Sequence, residues 1–111
     1  MRFPPTADPT ASIIVVATGD APSLIPCLRS VAMNVGSTTY EVVVVLNGCD
    51  LGVSSRMAGL VDGAHVTVSR VNRGFAGGCN LGASIATGEY LVLLNDDTAV
   101  EPEWLETLVA A

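Results

Sequence analysis

Ser12-Ile13-Ile14-Val15-Val16-Ala17 is a short, unbroken apolar run rich in β-branched residues. Such side chains are stiff at χ1 and suit the pleated sheet, and a run without polar alternation marks a strand buried on both faces. Covering both faces takes helices above and below, so this run points to an α/β protein with a mainly parallel sheet. The same signal returns in Glu41 to Leu46 and in Tyr90 to Leu94. All three are far below the ~20 residues that a membrane helix requires.

The intervening segments supply the helices. Leu24, Leu28 and Val31 recur at helical spacing behind Ser23, a candidate N-cap that leaves Pro26 in the first turn, and predict a helix from about Ser23 to Met33. Asn47-Gly48-Cys49-Asp50 reads as a turn, and Ser54 to Val61 as a weaker helix containing Gly59. His65 to Arg70 alternates, with Val66 and Val68 on one side, as an edge or half-buried strand does. Asn72 to Gly82 is glycine-rich and passes into a helix through Leu81 and Ile85 that stops at Gly88. Pro102-Glu103-Trp104-Leu105 opens a last helix, cut short by the chain end. This alternation implies right-handed β-α-β units with helices on both faces of the sheet. Residues 1–11, with Pro4, Pro5 and Pro9 and no apolar stretch, read as an irregular N-terminal arm before a domain over residues 12–111.

Composition narrows the function classes. The 111 residues allow one domain, and 50% hydrophobic against 14% charged residues, with a mean hydropathy of +0.52, place it among globular chains. Eleven acidic residues oppose five arginines and no lysine, a net charge of -6 that argues against nucleic-acid or anionic-membrane binding. An anionic partner such as a phosphate then needs a cation from elsewhere, and a bound metal is the obvious source. Cys27, Cys49 and Cys79 form no metal-ligand or Cys-x-x-Cys spacing and read as small buried hydrophobes in a reducing compartment. The expected location is the cytoplasm.

In open parallel sheets, ligands bind in the crevice beyond the carboxyl ends of the strands. Thr18 to Asp20, Leu46 to Asp50, Arg70 to Gly78 and Asn95 to Thr98 should converge there. Asp96 and Asp97 follow directly on an apolar strand; hard carboxylate oxygens suit Mg²⁺ or Mn²⁺, held jointly with substrate phosphates. Neighbours on an extended backbone point different ways, so one carboxylate suits a metal and the other a sugar hydroxyl, although such a pair is also an ordinary turn signal. Asn72-Arg73-Gly74-Phe75-Ala76-Gly77-Gly78-Cys79-Asn80-Leu81-Gly82 has four glycines, consistent with close backbone approach to a ligand or with tight helix packing. It is neither the Gly-x-Gly-x-x-Gly fingerprint nor a P-loop, which needs lysine. Arg70 and Arg73 flank it as phosphate partners or as plain charge balance. His65 has no ligand or nucleophile spacing around it, and Trp104 reads as core.

Taken in order, these segments resemble the nucleotide-binding half of family 2 glycosyltransferases, inverting enzymes with the Rossmann-like GT-A fold. The carriers are the Asn72 to Gly82 stretch, Gly88-Glu89-Tyr90-Leu91-Val92-Leu93-Leu94-Asn95-Asp96-Asp97-Thr98, and Pro102-Glu103-Trp104-Leu105. The resemblance makes Asn95-Asp96-Asp97 this chain's version of the Asp-x-Asp motif. Asp97 would ligate Mn²⁺ or Mg²⁺ on the diphosphate, with Asp96 beside it at the metal and facing the ribose or donor sugar. Thr18 and Asp20 match the family's Thr-x-Asn/Asp segment, and Asn47 and Gly48 its Asp-Asn-Gly-Ser turn. Arg73, Gly74, Phe75, Gly77 and Asn80, with Asn95, complete the nucleotide-sugar site that the resemblance implies.

Four positions depart from the family pattern: Leu46 stands for the aspartate that contacts the base, Cys49 for serine, Gly19 for an aromatic and Ala17 for proline. The Gly-Phe-Ala-Gly-Gly and Leu-Asn-Asp-Asp-Thr wording looks most like bacterial branches that build cell-surface polysaccharide, implying dTDP-rhamnose or a UDP-sugar as donor. The implied acceptor is a glycan or a lipid-linked sugar. The implied reaction is a single displacement at the anomeric carbon, its base and acceptor half lying beyond Ala111, where peripheral contact with the inner face of a membrane would also reside. Two alternatives stand beside it: a sugar-phosphate nucleotidyltransferase, which wants a basic glycine-rich loop after the first strand, and a non-catalytic nucleotide-sugar-binding remnant.

Overall fold

The computed structural model describes residues 1–34 and 36–111. Its elements run β1 (Ala11–Ala17), α1 (Leu24–Met33), β2 (Tyr40–Asn47), α2 (Leu51–Leu60), β3 (His65–Ser69), α3 (Gly74–Ile85), β4 (Tyr90–Asn95) and α4 (Trp104–Ala110). The four strands form one parallel sheet in the order β3-β2-β1-β4. β1 and β2, the two unbroken β-branched runs, are the central pair, aligned from Ala11 opposite Tyr40 to Ala17 opposite Leu46.

The two faces have separate cores. Ile13, Val15, Val42, Val44 and Leu46 pack beneath Leu24, Leu28 and Val31 of α1, Val53 and Met57 of α2 and Leu105 of α4. Ile14, Val16, Val43 and Val45 face α3 with Cys79. α3 lies very close to the sheet: a Cβ on Gly82 would stand 2.5 Å from Ile14 Cγ2, and one on Gly78 2.8 Å from Val16 Cγ1. Most of the glycine-rich stretch is thus helical, α3 starting at Gly74, and of its two expected roles the structure shows tight helix packing on the sheet. The glycines at 78 and 82 are one helical turn apart on the buried face of α3, where only a missing side chain allows this approach. The helix ends at Ile85, ahead of Gly88.

Three further expectations change. α2 starts at Leu51, three residues before the predicted start, with Asp50 in extended conformation at its N-cap position and Val53 N–H donating to Asp50 O at 3.0 Å. The arm is irregular between Pro4 and Thr10 but anchored at its start. Phe3 N–H donates to Asp62 O at 2.8 Å, Asp62 N–H to Met1 O at 2.9 Å, and the buried Phe3 ring meets Tyr40 edge-on with centroids 6.2 Å apart. β4 reads as a strand buried on both faces, but among the described residues it pairs with β1 alone at the edge of the sheet, leaving Tyr90, Leu91 and Leu93 44–52% exposed. A continuous apolar run has the same composition at an edge as at the centre, so periodicity alone does not separate them.

Candidate functional site

Because all four strands run the same way, their carboxyl ends share one edge, and the strand order reverses between β1 and β4. Val16 pairs with Asn95, so the turn Thr18–Asp20 lies beside Asp96 and Asp97. The acid turn is clamped to α1. Cys27 Sγ lies 3.7 Å from Asn95 O, Val100 N–H donates to Ser30 Oγ at 3.1 Å, and Asn34 Nδ2 donates to Val100 O at 3.1 Å. A cleft of about 200 Å³ opens between the start of α1 and this turn, bounded by Ser23, Pro26, Cys27, Asp97 and Thr98.

The electrostatics show which groups face one another. Burial, then the Asp97 carboxylate, push the Asp96 carboxyl above the ordinary aspartate range. Burial, then Asp96 and Asp97, push the Cys27 thiol up to about 11. The buried Cys49 thiol, which donates to Ala17 O at 3.5 Å, is raised first by burial and then by Asp96, Asp50 and Asp20. Three carboxylates from three turns thus act on one sulfur at the strand edge. All three cysteines are buried and free, as small hydrophobes.

The turn after β2 works from below. Asn47 is fully buried, and its amide is consumed within the protein: Nδ2 donates to Asn72 Oδ1 at 3.2 Å and Gly74 O at 3.0 Å, while Oδ1 accepts from Arg73 N–H at 2.9 Å. Its amide therefore holds the start of α3. Gly48 has φ +74°, and a Cβ there would stand 2.9 Å from Asn72 Cβ, so glycine is needed on both counts. Arg73 Nε donates to Ser69 Oγ at 3.0 Å, and the missing Cβ of Gly77 leaves room for the Arg73 stem. Gly74 has φ +75° at the start of α3, Phe75 is 52% exposed beside it, and Asn80 is exposed further along the helix.

The turns thus bring Thr18, Asp20, Asn47, Gly48, Arg73, Gly74, Phe75, Asn95, Asp96 and Asp97 to the carboxyl edge. Asn80 stands six residues into α3, about 9 Å along its axis from Gly74. His65 lies at the opposite edge, where its Nε2 is 3.3 Å from Glu41 Oε1. Sequence reasoning missed Ser69, which anchors Arg73, and Arg56 on α2, whose Nη2 donates to Asp20 O at 3.1 Å. Reading Asp50 as an N-cap would have started α2 at Leu51 and exposed the 50, 53, 56 face.

Asp96 and Asp97 fit a divalent cation on one observation: burial and the neighbouring Asp97 charge raise the cost of ionising Asp96, and a cation beside the pair relieves it. Among the described residues no third His, Cys, Asp or Glu completes a closed ligand set, consistent with a site that draws its remaining oxygens from phosphate and water.

The family model for Glycosyl transferase family 2 matches residues 12–111. Glucosyl-dolichyl phosphate glucuronosyltransferase of Haloferax volcanii is 35% identical over 51 residues, 46% of this chain and 16% of that protein. The structure of S. aureus TarS 1-349 superposes with a TM-score of 0.73 at 24% identity over 91% of this chain and 31% of that one. Mannosyltransferase PcManGT from Pyrobaculum calidifontis, in complex with GDP-Man and Mn²⁺, gives 0.71 at 25% identity over 94% and 31%. The chain spans under a third of the length of these relatives. With the parallel sheet and the acid turn at its carboxyl edge, the match over residues 12–111 shows that the chain belongs to glycosyl transferase family 2.

Proposed function

We propose that this chain is the donor-binding part of an inverting glycosyltransferase that moves a sugar from a nucleotide diphosphate to an acceptor hydroxyl. The observation that carries it is the meeting of Asp96 and Asp97 with the Thr18–Asp20 turn at the point where the strand order reverses. Solved relatives of this fold are complexes with UDP and with GDP-Man and Mn²⁺. A UDP- or dTDP-linked sugar is the favoured donor, and a glycan or lipid-linked sugar the favoured acceptor.

Asp97, exposed at the cleft beside α1, with Asp96 next to it, would hold Mn²⁺ or Mg²⁺. When bound, such an ion supplies positive charge to the leaving diphosphate. The chain's own residues do the rest of the positioning. Asn47 and Asn72 fix the first turn of α3, which sets Arg73 at the edge with its guanidinium steadied by Ser69. An oriented arginine stabilises phosphate charge with little reorganisation, which is where electrostatic catalysis gains most.

Titration calorimetry with UDP, dTDP and GDP, with and without Mn²⁺, tests this reading. Metal-dependent binding of at least one is expected; a folded sample that binds none in either condition overturns it.

A further inference from the structure

The turn after β2 shows no polar side chain to a ligand before residue 50. Leu46 and Asn47 are fully buried, the latter with its amide consumed, Gly48 has no side chain, and Cys49 turns its thiol inward to Ala17 O. Asp50 is the first exposed group. Since α2 begins at Leu51, Asp50, Val53 and Arg56 follow at three-residue intervals along one face of that helix. They bound an open cavity of about 390 Å³ together with Asp20 and Gly52. Between these charges lie the buried Val53 and the bare Gly52, where even a Cβ would meet nothing within 4 Å. Its rim carries charges of both signs. Arg56 is the only cation among its lining residues, and its Nη2 donates to Asp20 O at 3.1 Å, which leaves other N–H groups of the fork to donate elsewhere.

An open cavity edged by one fork of donors and one acceptor suits a heteroaromatic ring that presents a carbonyl oxygen next to an N–H. The cavity lies over the ends of β1 and β2, and the acid pair follows β4, two strand spacings or about 10 Å from β2. One ribose bridges such a gap between a base and its diphosphate.

Resting on the nucleotide-sugar reading above, we propose that Arg56 and Asp50 are the base-discriminating pair of this chain. The Arg56 guanidinium donates to a ring carbonyl, and the Asp50 carboxylate accepts from the adjacent ring N–H. Uracil, thymine and guanine offer that edge. Cytosine puts a bare acceptor nitrogen next to its carbonyl, facing Asp50 with a lone pair, and adenine has no ring carbonyl.

Calorimetry with UDP, GDP, CDP and ADP in Mn²⁺ tests the pair. The wild-type chain should bind UDP or GDP at least tenfold more tightly than CDP and ADP, since each hydrogen bond to a charged group is worth roughly a factor of ten. Arg56→Ala and Asp50→Asn should each bring the preferred nucleotide to within about threefold of CDP, with Mn²⁺ dependence retained. Arg56→Lys keeps the charge without the fork; it should show the same loss of preference even if Arg56→Ala melts early for want of the bond to Asp20. Variants that keep the wild-type preference, or a wild type without one, overturn the pair and leave the donor-binding reading standing. A wild type that binds no nucleotide overturns both.

Discussion

Replacing Asn47 by alanine should loosen the candidate site from beneath. The side chain is fully buried and makes three hydrogen bonds, to Asn72, Gly74 and the Arg73 N–H, at 2.9–3.2 Å. Each such bond contributes about 0.5–1.5 kcal/mol net. Asn72, Arg73 and Gly74 are exposed, so water reaches part of what alanine releases, which selects the lower half of the summed range. The expected loss is about 1.5–3 kcal/mol, a fall in the urea midpoint of roughly 1 M at a slope of about 2 kcal/mol/M. Nucleotide affinity should fall with it, because Arg73 and the start of α3 lose their anchor. Urea denaturation followed by circular dichroism, paired with calorimetry, reads both effects. A variant with unchanged midpoint but weakened binding refutes the reasoning, since Asn47 would then touch the ligand itself.

Asp97→Ala should abolish metal-dependent nucleotide binding, while His65→Ala, at the far edge of the sheet, should leave it unchanged; equal effects in calorimetry would misplace the site. Gly82→Val should cost about 1–3 kcal/mol or more by overpacking, because even its Cβ would stand 2.5 Å from Ile14 Cγ2 and 3.1 Å from Val45 Cγ2. Thermal melting checks it, with Gly59→Ala as the tolerated control, since a Cβ at Gly59 would meet nothing within 4 Å. Glu41 accepts from Ser12 Oγ at 2.5 Å, Thr87 N at 2.6 Å and Thr87 Oγ1 at 3.1 Å. Burial, the largest single influence, raises its pKa, but those bonds and His65 together bring it below the ordinary glutamate value. Its stabilisation is therefore full above the unfolded-state value of about 4.3 and is lost as pH falls through the lower folded value. Urea midpoints taken from pH 6 downward should show this loss in the wild type and a shallower one in Glu41→Gln.

The central strands and their helices were legible because burial on both faces leaves a plain mark: β-branched runs at Ile13–Val16 and Val42–Val45, and helical spacing at Leu24, Leu28 and Val31. What was hidden depends on partners distant in sequence. Gly78 and Gly82 suit ligand approach and helix packing equally until Val16, Ile14 and Val45 are known to press on them. That Asn47 ties the β2 turn to the start of α3 shows only once Asn72 and Gly74 are found at its amide. Of the site itself, the acid turn and the glycine-flanked Arg73 were visible as motifs, whereas Arg56 emerged only with the true start of α2.

The pairing of β1 with β4 has a consequence for how the protein is made. Ala11 meets Tyr90, 79 residues later, whereas its other neighbour, Tyr40, is only 29 residues away. On the ribosome the three strands β1, β2 and β3 can assemble while β4 is still unsynthesised, and the cavity of Asp50 and Arg56 belongs to that early half. Asp96 and Asp97 arrive with the last strand. Held on one side by β1, β4 should exchange its amide hydrogens ahead of the central strands, and a molecule opened there loses its acid pair while the cavity of Asp50 and Arg56, after β2, stays intact.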